Sequence, residues 1–396
     1  MTELKDRLGE LAAEVDAFDV SAPAYRMGIR RRRRRRLAVP AAVAALAVVV
    51  VGTVGAVGVR GDRQPPGTPI VRIADTTTST RVDWIPPTVH LGAPQATLPT
   101  DHGIGSAALT FAYRTAHGWR PGLVAADGTR YALPAGSGLD RFGRPGSVSL
   151  SPDGRFLAYR EQGSVVFRDL AGASTTRLPG GGVLAWSSNS AWLVVGSPSW
   201  IGRTELVRTA TGRATPIRVP ATGKWTLSGI TNTGRLWLFP DAQRRELTLV
   251  DPDSGTILSR HTVHLPADLK SDERVPLDGL AFGPPTRGDT EMLLPIYVRR
   301  RLSPAVAYSV AEDILAVDLR TGQPIRRYDL PRGVVAFDNG QSWSAIRYLG
   351  GDIVAVLHGP DGSVVELVDA TTGARRTVSH IVASGHPYQM PGHTFF

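Results

Sequence analysis

The chain contains no cysteine. That absence excludes disulfides, thiolate nucleophiles and every cysteine-based zinc site. A secreted eukaryotic domain of this size ordinarily carries bridges, so a cysteine-free one fits a bacterial envelope better. Lysine is scarce too: Lys5, Lys224 and Lys270 stand beside 42 arginines. This bias is that of a GC-rich genome and carries no functional weight. No Gly-x-Ser-x-Gly elbow, His-Glu-x-x-His helix or Walker loop occurs in the 396 residues, which leaves those hydrolase, zinc and phosphate chemistries without a carrier. No catalytic, cofactor or metal residue is assigned.

Some smaller patterns imitate sites. His261 and His264 are three apart, but on an expected strand, where they face opposite sides. Asp251-Pro252-Asp253-Ser254-Gly255 begins like a calcium loop, lacks the later ligands and reads as a turn. Arg299-Arg300-Arg301 reads as a solvated loop, with an acidic partner as the alternative. The eight tryptophans fall mostly within strand patterns and read as core.

The net charge of +10 raises the question of nucleic acid. Its distribution argues against that partner. Arg26 and the unbroken run Arg30–Arg36 supply eight positive charges, leaving +2 without them. The run abuts residues 37–59, LAVPAAVAALAVVVVGTVGAVGV, a stretch of 23 without a charge. As a helix it spans roughly 35 Å, enough for a bilayer core of ~30 Å. It exceeds the apolar core of a cleaved signal peptide, and no clear Ala-x-Ala site follows. The positive-inside rule then puts residues 1–36 in the cytoplasm and 60–396 outside.

Ahead of the run, Leu4, Leu8, Leu11, Val15 and Phe18 keep heptad spacing, which predicts an amphipathic helix over 2–19 with Thr2 as its cap. Six acidic residues against Lys5 and Arg7 leave it at −4, repelled by an anionic leaflet. It suits a cytoplasmic protein partner or self-pairing; a partly ordered tail is the bland alternative. Beyond the span, Pro65, Pro66, Pro69, Pro86, Pro87, Pro94 and Pro99 predict an extended stalk over 60–104. Pieces such as Arg81–Trp84 or Val89–Leu91 are candidate strands joining the domain.

Residues 105–396 repeat. A short apolar strand runs into a turn ending in glycine at Gly128, Gly172, Gly212, Gly255, Gly322 and Gly373, at intervals of 44, 40, 43, 67 and 51 residues. Asp169, Asp251, Asp318 and Asp369 open four of these turns, where a carboxylate accepts backbone N–H groups two residues on. A second turn precedes the first, clearest at Ser151-Pro152-Asp153-Gly154, with weaker versions at Ser187–Ser190 and Thr231–Gly234. One unit is therefore four short strands: Ser147–Ser151, Arg155–Arg160, Ser164–Asp169 and Ser174–Leu178. Units of this length with four strands are propeller blades. Six are visible; a seventh is available if residues 75–100 pair with the carboxyl end. The long interval implies an insertion around Leu265–Arg274 or Arg299–Val306.

Leu150-Ser151-Pro152-Asp153-Gly154-Arg155-Phe156-Leu157-Ala158-Tyr159 resembles the repeat of WD40-like and TolB-type β-propellers, and Asp318-Leu319-Arg320-Thr321-Gly322 resembles the end of their third strand. The Trp-Asp and Gly-His signatures of true WD40 blades are missing. The resemblance implies an all-β propeller of six or seven blades on a single-pass anchor. The first reading is a membrane-anchored extracytoplasmic binding or scaffold module with an unknown envelope ligand or protein. The layout also resembles companions of extracytoplasmic-function sigma factors, which implies a signalling role for helix 2–19. An envelope enzyme with a site at the propeller channel is the third reading.

Overall fold

The computed structural model describes residues 68–391 apart from 73–76, 80–81, 135–147, 180, 197–203, 222–223, 241–244, 276–288, 304–305, 330–346, 350–351, 360–361 and 383–386. Among them no helix is long and apolar enough to cross a membrane. The expected span 37–59 and helix 2–19 lie outside the described residues.

The described strands form six sheets. Blade II is the plainest: Val148–Leu150, Phe156–Glu161, Ser164–Asp169 and Thr175–Pro179, each antiparallel to the next. Blade III comprises Gly182–Trp186, Trp192–Gly196, Glu205–Arg208 and Arg213–Pro216. Blade IV comprises Trp225–Ile230, Leu236–Pro240, Glu246–Val250 and Ile257–Thr262. Blade V pairs Glu273–Arg274 with Glu291–Ser303, followed by Val306–Asp318 and Pro324–Asp329. Blade VI has Arg347–Leu349, Asp352–Gly359, Gly362–Asp369 and Arg375–Val382. Blade I has Ala107–Thr115, Gly118–Ala125 and Arg130–Ala132, and its inner strand is Tyr388–Gln389 from the carboxyl end.

Six apolar layers join blade to blade around a closed circle. Leu157, Tyr159 and Val166 face blade I, while Phe156, Ala158, Val165 and Phe167 face blade III. Strand alternation thus buries both sides of a blade, and this is why the strands read as near-continuous apolar runs. The propeller has six blades. Among the described residues of 75–100 no seventh blade forms, because their strands add to blades VI and I, already complete.

As far as residues 68–104 are described, the expected extended stalk lies along the propeller as a belt, and the candidate strand Val89–Leu91 is found at Thr88–His90. Ile70–Arg72 lies parallel to the outer strand of blade V, Thr77–Ser79 and Thr88–His90 to that of blade VI, and Ala96–Thr97 to that of blade I. Main-chain bonds from Arg327 N to Pro69 O (2.9 Å), His380 N to Pro87 O (2.9 Å) and Leu98 N to Ala132 O (2.9 Å) fasten it. Ile85, Val89, Leu91 and Leu98 are buried beneath it. An outer blade edge otherwise leaves a row of unpaired N–H and C=O groups, and the belt covers three such rows.

The 67-residue interval has a local cause. The middle strands of blade V are 13 residues each, against 4 to 6 in blades II to IV. Both expected insertion segments contribute: Glu273–Arg274 pairs with Val298 and Tyr297, and Arg299–Ser303 prolongs the hairpin. In blades VI and I the same hairpins have strands of 8 or 9 residues. The belted half of the propeller is therefore the taller half.

Candidate functional site

Up-and-down strand order gives a propeller two unlike ends. Turns between first and second strands, and between third and fourth, fall at one end, the turn end. Turns between second and third strands fall at the other, with the blade-to-blade crossings: the hairpin end.

The turn end holds the repeated motifs. In the inner turns a hydroxyl bonds both ways: Phe156 N donates to Ser151 Oγ and Trp192 N to Ser187 Oγ, both at 2.9 Å, and Arg235 N donates to Thr231 Oγ1 at 2.8 Å. The same hydroxyls reach Asp153 and Asn189 at 2.5 and 2.8 Å, while Thr231 and Thr233 share a hydrogen bond of 2.9 Å. Neighbouring turns are tied in sequence. Asp153 N donates to Ser190 Oγ (3.0 Å), Asn189 N to Asn232 Oδ1 (2.9 Å) and Asn232 N to Asp289 Oδ1 (2.5 Å). The fourth position of these turns is left-handed whether glycine fills it or not: φ is 73° at Gly154, 61° at Ser190 and 87° at Gly234; Asp289, which the Asn232 turn bonds, also has a positive φ of 66°. Burial raises the Asp289 carboxyl above its ordinary range, against the bond from Asn232.

The outer turns make a second ring, each seated on the blade before it. A Cβ at Gly322 would lie 2.0 Å from Thr262 O, one at Gly212 2.8 Å from Thr176 Oγ1, and one at Gly255 3.3 Å from Val219 O. Ile104 N reaches Leu170 O at 2.6 Å, and Tyr328 Oη donates to Ala370 O at 3.1 Å. The expected imitation of a calcium loop is one of these turns. Asp251 Oδ1 accepts Asp253 N (2.9 Å) and Ser254 N (3.1 Å), and these backbone bonds hold the carboxyl below its ordinary range. His261 ends up half-buried near Trp237, whereas His264 lies beyond the strand end and donates its N–H to Gly322 O. Among the described residues no group of three His, Asp or Glu is placed to hold a metal ion.

Of the buried charged side chains among the described residues, Glu273, Asp313, Arg327 and Glu366 have charged partners, whereas Arg168 reaches the carbonyls of Pro99 and His102. Arg327, on the outer strand of blade V, bonds Glu273 at 2.7 and 3.1 Å and also Asp313, and all three are buried. Burial pushes the Glu273 carboxyl up, but Arg327 and the Lys270 N–H outweigh it, so it stays below its usual range. Burial raises Asp313, helped by Asp329 and Glu273 and opposed by Arg327. This network fastens the inserted segment to the base of the long hairpin. In blade VI, Arg375 grips Glu366 at 2.7 and 2.6 Å. Burial pushes the Tyr388 phenol, on the closing strand, up to about 12. Of the tryptophans, Trp186, Trp225 and Trp237 are buried in strands as expected, and Trp186 Nε1 donates to Ser149 Oγ of blade II at 2.8 Å.

The hairpin end is where the chain departs from its own repeat. Arg299–Arg301 sits on the strand Glu291–Ser303, opposite Ser309, Tyr308 and Ala307, and not in a loop. The blade I hairpin carries Tyr113, Arg114, His117, Trp119 and Arg120 around its turn; Arg114 and His117 are exposed, and the other three half-buried. Sequence reading missed this group because its arginines are separated, and only the register pairs Arg114 with Trp119 and Tyr113 with Arg120.

Six four-stranded repeats closed by the carboxyl-terminal strand define a β-propeller protein. This is the architecture that the WD40-like and TolB-type resemblance implies. Two TolB proteins are among the solved structures similar to the chain. TolB from Acinetobacter baumannii shares 13% identity over 72% of this chain and 67% of that one, with a TM-score of 0.36. Putative TolB from Agrobacterium tumefaciens shares 13% over 72% of this chain and 99% of that one, with a TM-score of 0.33. No protein-family model matches the chain, and no curated protein matches it.

Proposed function

We propose that the chain is a membrane-anchored, extracytoplasmic binding or scaffold module. The observation that carries the reading is the closed propeller itself. It is bonded between blades at two levels at the turn end, fastened by a belt at its rim, and bears one hairpin far longer than the rest. Such a disc holds surface loops in fixed positions, the usual basis of recognition on rigid scaffolds. The uncharged run 37–59 with its arginine flank supports the anchor, and the positive-inside rule supports the orientation. Cross-linking of the full chain in native envelopes, followed by mass spectrometry, is expected to recover a reproducible envelope partner of the propeller. Turnover of a glycan, peptide or lactone substrate by the purified protein would overturn the reading in favour of an enzyme.

A second reading rests on one feature, the acidic heptad at 2–19. In it, that segment holds a cytoplasmic partner such as a sigma factor. A pull-down on residues 1–36 that recovers no polymerase or sigma subunit contradicts it.

A further inference from the structure

The blade I hairpin is a rigid projection. Its strands, Ala107–Thr115 and Gly118–Ala125, have 9 and 8 residues, against 6 in each middle strand of neighbouring blade II. Thr115 sets the turn: its hydroxyl donates to Gly118 O at 2.8 Å and accepts His117 N at 3.2 Å. Register then sorts the side chains by face. Tyr113 stands opposite Arg120 and beside Phe111, on the side that packs towards blade VI. Arg114 stands opposite Trp119 on the other side, the one that Leu123 presents to blade II lower down. Because the blade II hairpin is shorter, this second pair rises above it.

Nothing on the hairpin neutralises its arginines. No Asp, Glu, Asn or Gln occurs from Ser106 to Ala126. Among the described residues no carboxylate pairs with Arg114 or Arg120. At the hairpin end of blade II, Glu161 is already held by Arg177 at 2.5 Å. Arginine, tryptophan and tyrosine are the side chains that dominate binding energy at protein interfaces, since they bring large planar area at low conformational cost. A guanidinium also meets a carboxylate through two parallel bonds. The hydroxyls of a neutral sugar call for amide or carboxylate partners, which this hairpin lacks. The belt leaves this end clear: Ile70–Arg72 runs parallel to Pro324–Asp329, so the chain before it reaches the rim from the turn end.

We propose that the blade I hairpin is the docking site for an acidic segment of a protein partner, with Arg114 and Trp119 at its centre and Arg120 beside them. This deepens the binding-module reading above and rests on it.

The test uses the full-length chain in detergent micelles and a random peptide display library. The selected sequence is then made as a labelled peptide and titrated by fluorescence polarisation. Selection of sequences rich in Asp and Glu is expected. Their binding should weaken about tenfold or more in Arg114→Glu and in the Arg114→Gln, Arg120→Gln variant. Arg213→Gln, Arg218→Gln removes the same charge from exposed positions near blade III and should leave binding unchanged. Selected sequences without acidic residues overturn the proposal. So does an equal loss in both double variants, which net charge alone explains. Arg114-dependent binding of polyphosphate or hyaluronate oligosaccharide, with no acidic peptide selected, overturns it in favour of an anionic polymer. Arg114→Glu alters one exposed side chain, so it decides the matter should the half-buried Arg120 prove necessary for folding. Cross-linking in native envelopes separates the hairpin from the reading beneath it. A partner still captured by the Arg114→Gln, Arg120→Gln variant overturns the hairpin and keeps the binding module. Substrate turnover overturns the module, and the peptide titration then decides the hairpin by itself.

Discussion

At the residue scale, the repeat is a set of glycines with two separate duties. Gly163 needs only its positive φ of 81°, since a Cβ there meets nothing within 4 Å. Gly322 needs both its φ of 70° and the space, because its Cβ would overlap Thr262 O. Gly163→Ala is expected to cost about 1 kcal/mol. Gly322→Ala should cost at least ~2 kcal/mol more, since backbone of two blades must part. Urea unfolding of both variants checks the contrast. Asp289 tests the inner ring. Its folded pKa is raised above the ordinary 3.8 by burial. Wild type is therefore at no disadvantage below that value and loses relative stability as pH rises through the folded pKa. Asp289→Asn keeps the acceptor for Asn232 N and never ionises. It should be the more stable protein at neutral pH, with the difference fading as pH falls into the carboxyl range. A melting-temperature gap of unchanged size across that range contradicts this.

At the scale of elements, the belt separates two accounts of residues 68–99. A free spacer can be removed without effect on the propeller. A belt that buries Ile85, Val89, Leu91 and Leu98 cannot. Deleting 68–99 is expected to lose several kcal/mol and lower the melting temperature by about 10 °C or more. An unchanged melting temperature would sink the belt as a structural element. Sequence reading reached some elements and not others for physical reasons. Blade II was legible because its turn is spelled Ser-Pro-Asp-Gly and its strands alternate locally; the expected Ser164–Asp169 is the observed strand. Blade III was fainter because Ser190 occupies the left-handed position that Gly154 fills in blade II. In the outer strand of that blade, Ile217–Val219 was expected and Arg213–Pro216 is found. One piece of the belt was legible, since Val89–Leu91 was a candidate strand joining the domain and Thr88–His90 is one. The rest was hidden because its strands have two or three residues, too few to show a period, and pair only with sequence some 35 to 300 residues away. The Pro-rich composition pointed to extension correctly but not to what the extended chain lies against.

For the whole molecule, closure decides the count. Six or seven blades were equally compatible with the repeat spacing. The two-residue strand Tyr388–Gln389, against Thr110 and Phe111, completes blade I and leaves room for no other. Nothing in so short a segment announces itself in sequence. The uneven height of the two halves was visible only as one long interval, with the hairpins of blades VI and I unrecognised. The account of the whole chain, an anchored propeller held outside the membrane, is tested most directly by labelling single cysteines in a chain that has none of its own. Ala13→Cys and Asp253→Cys are expressed in intact bacterial cells and treated with a membrane-impermeant maleimide. The account predicts labelling at 253 without lysis and at 13 only after it. Labelling at 13 in intact cells, or at 253 only after lysis, would contradict it.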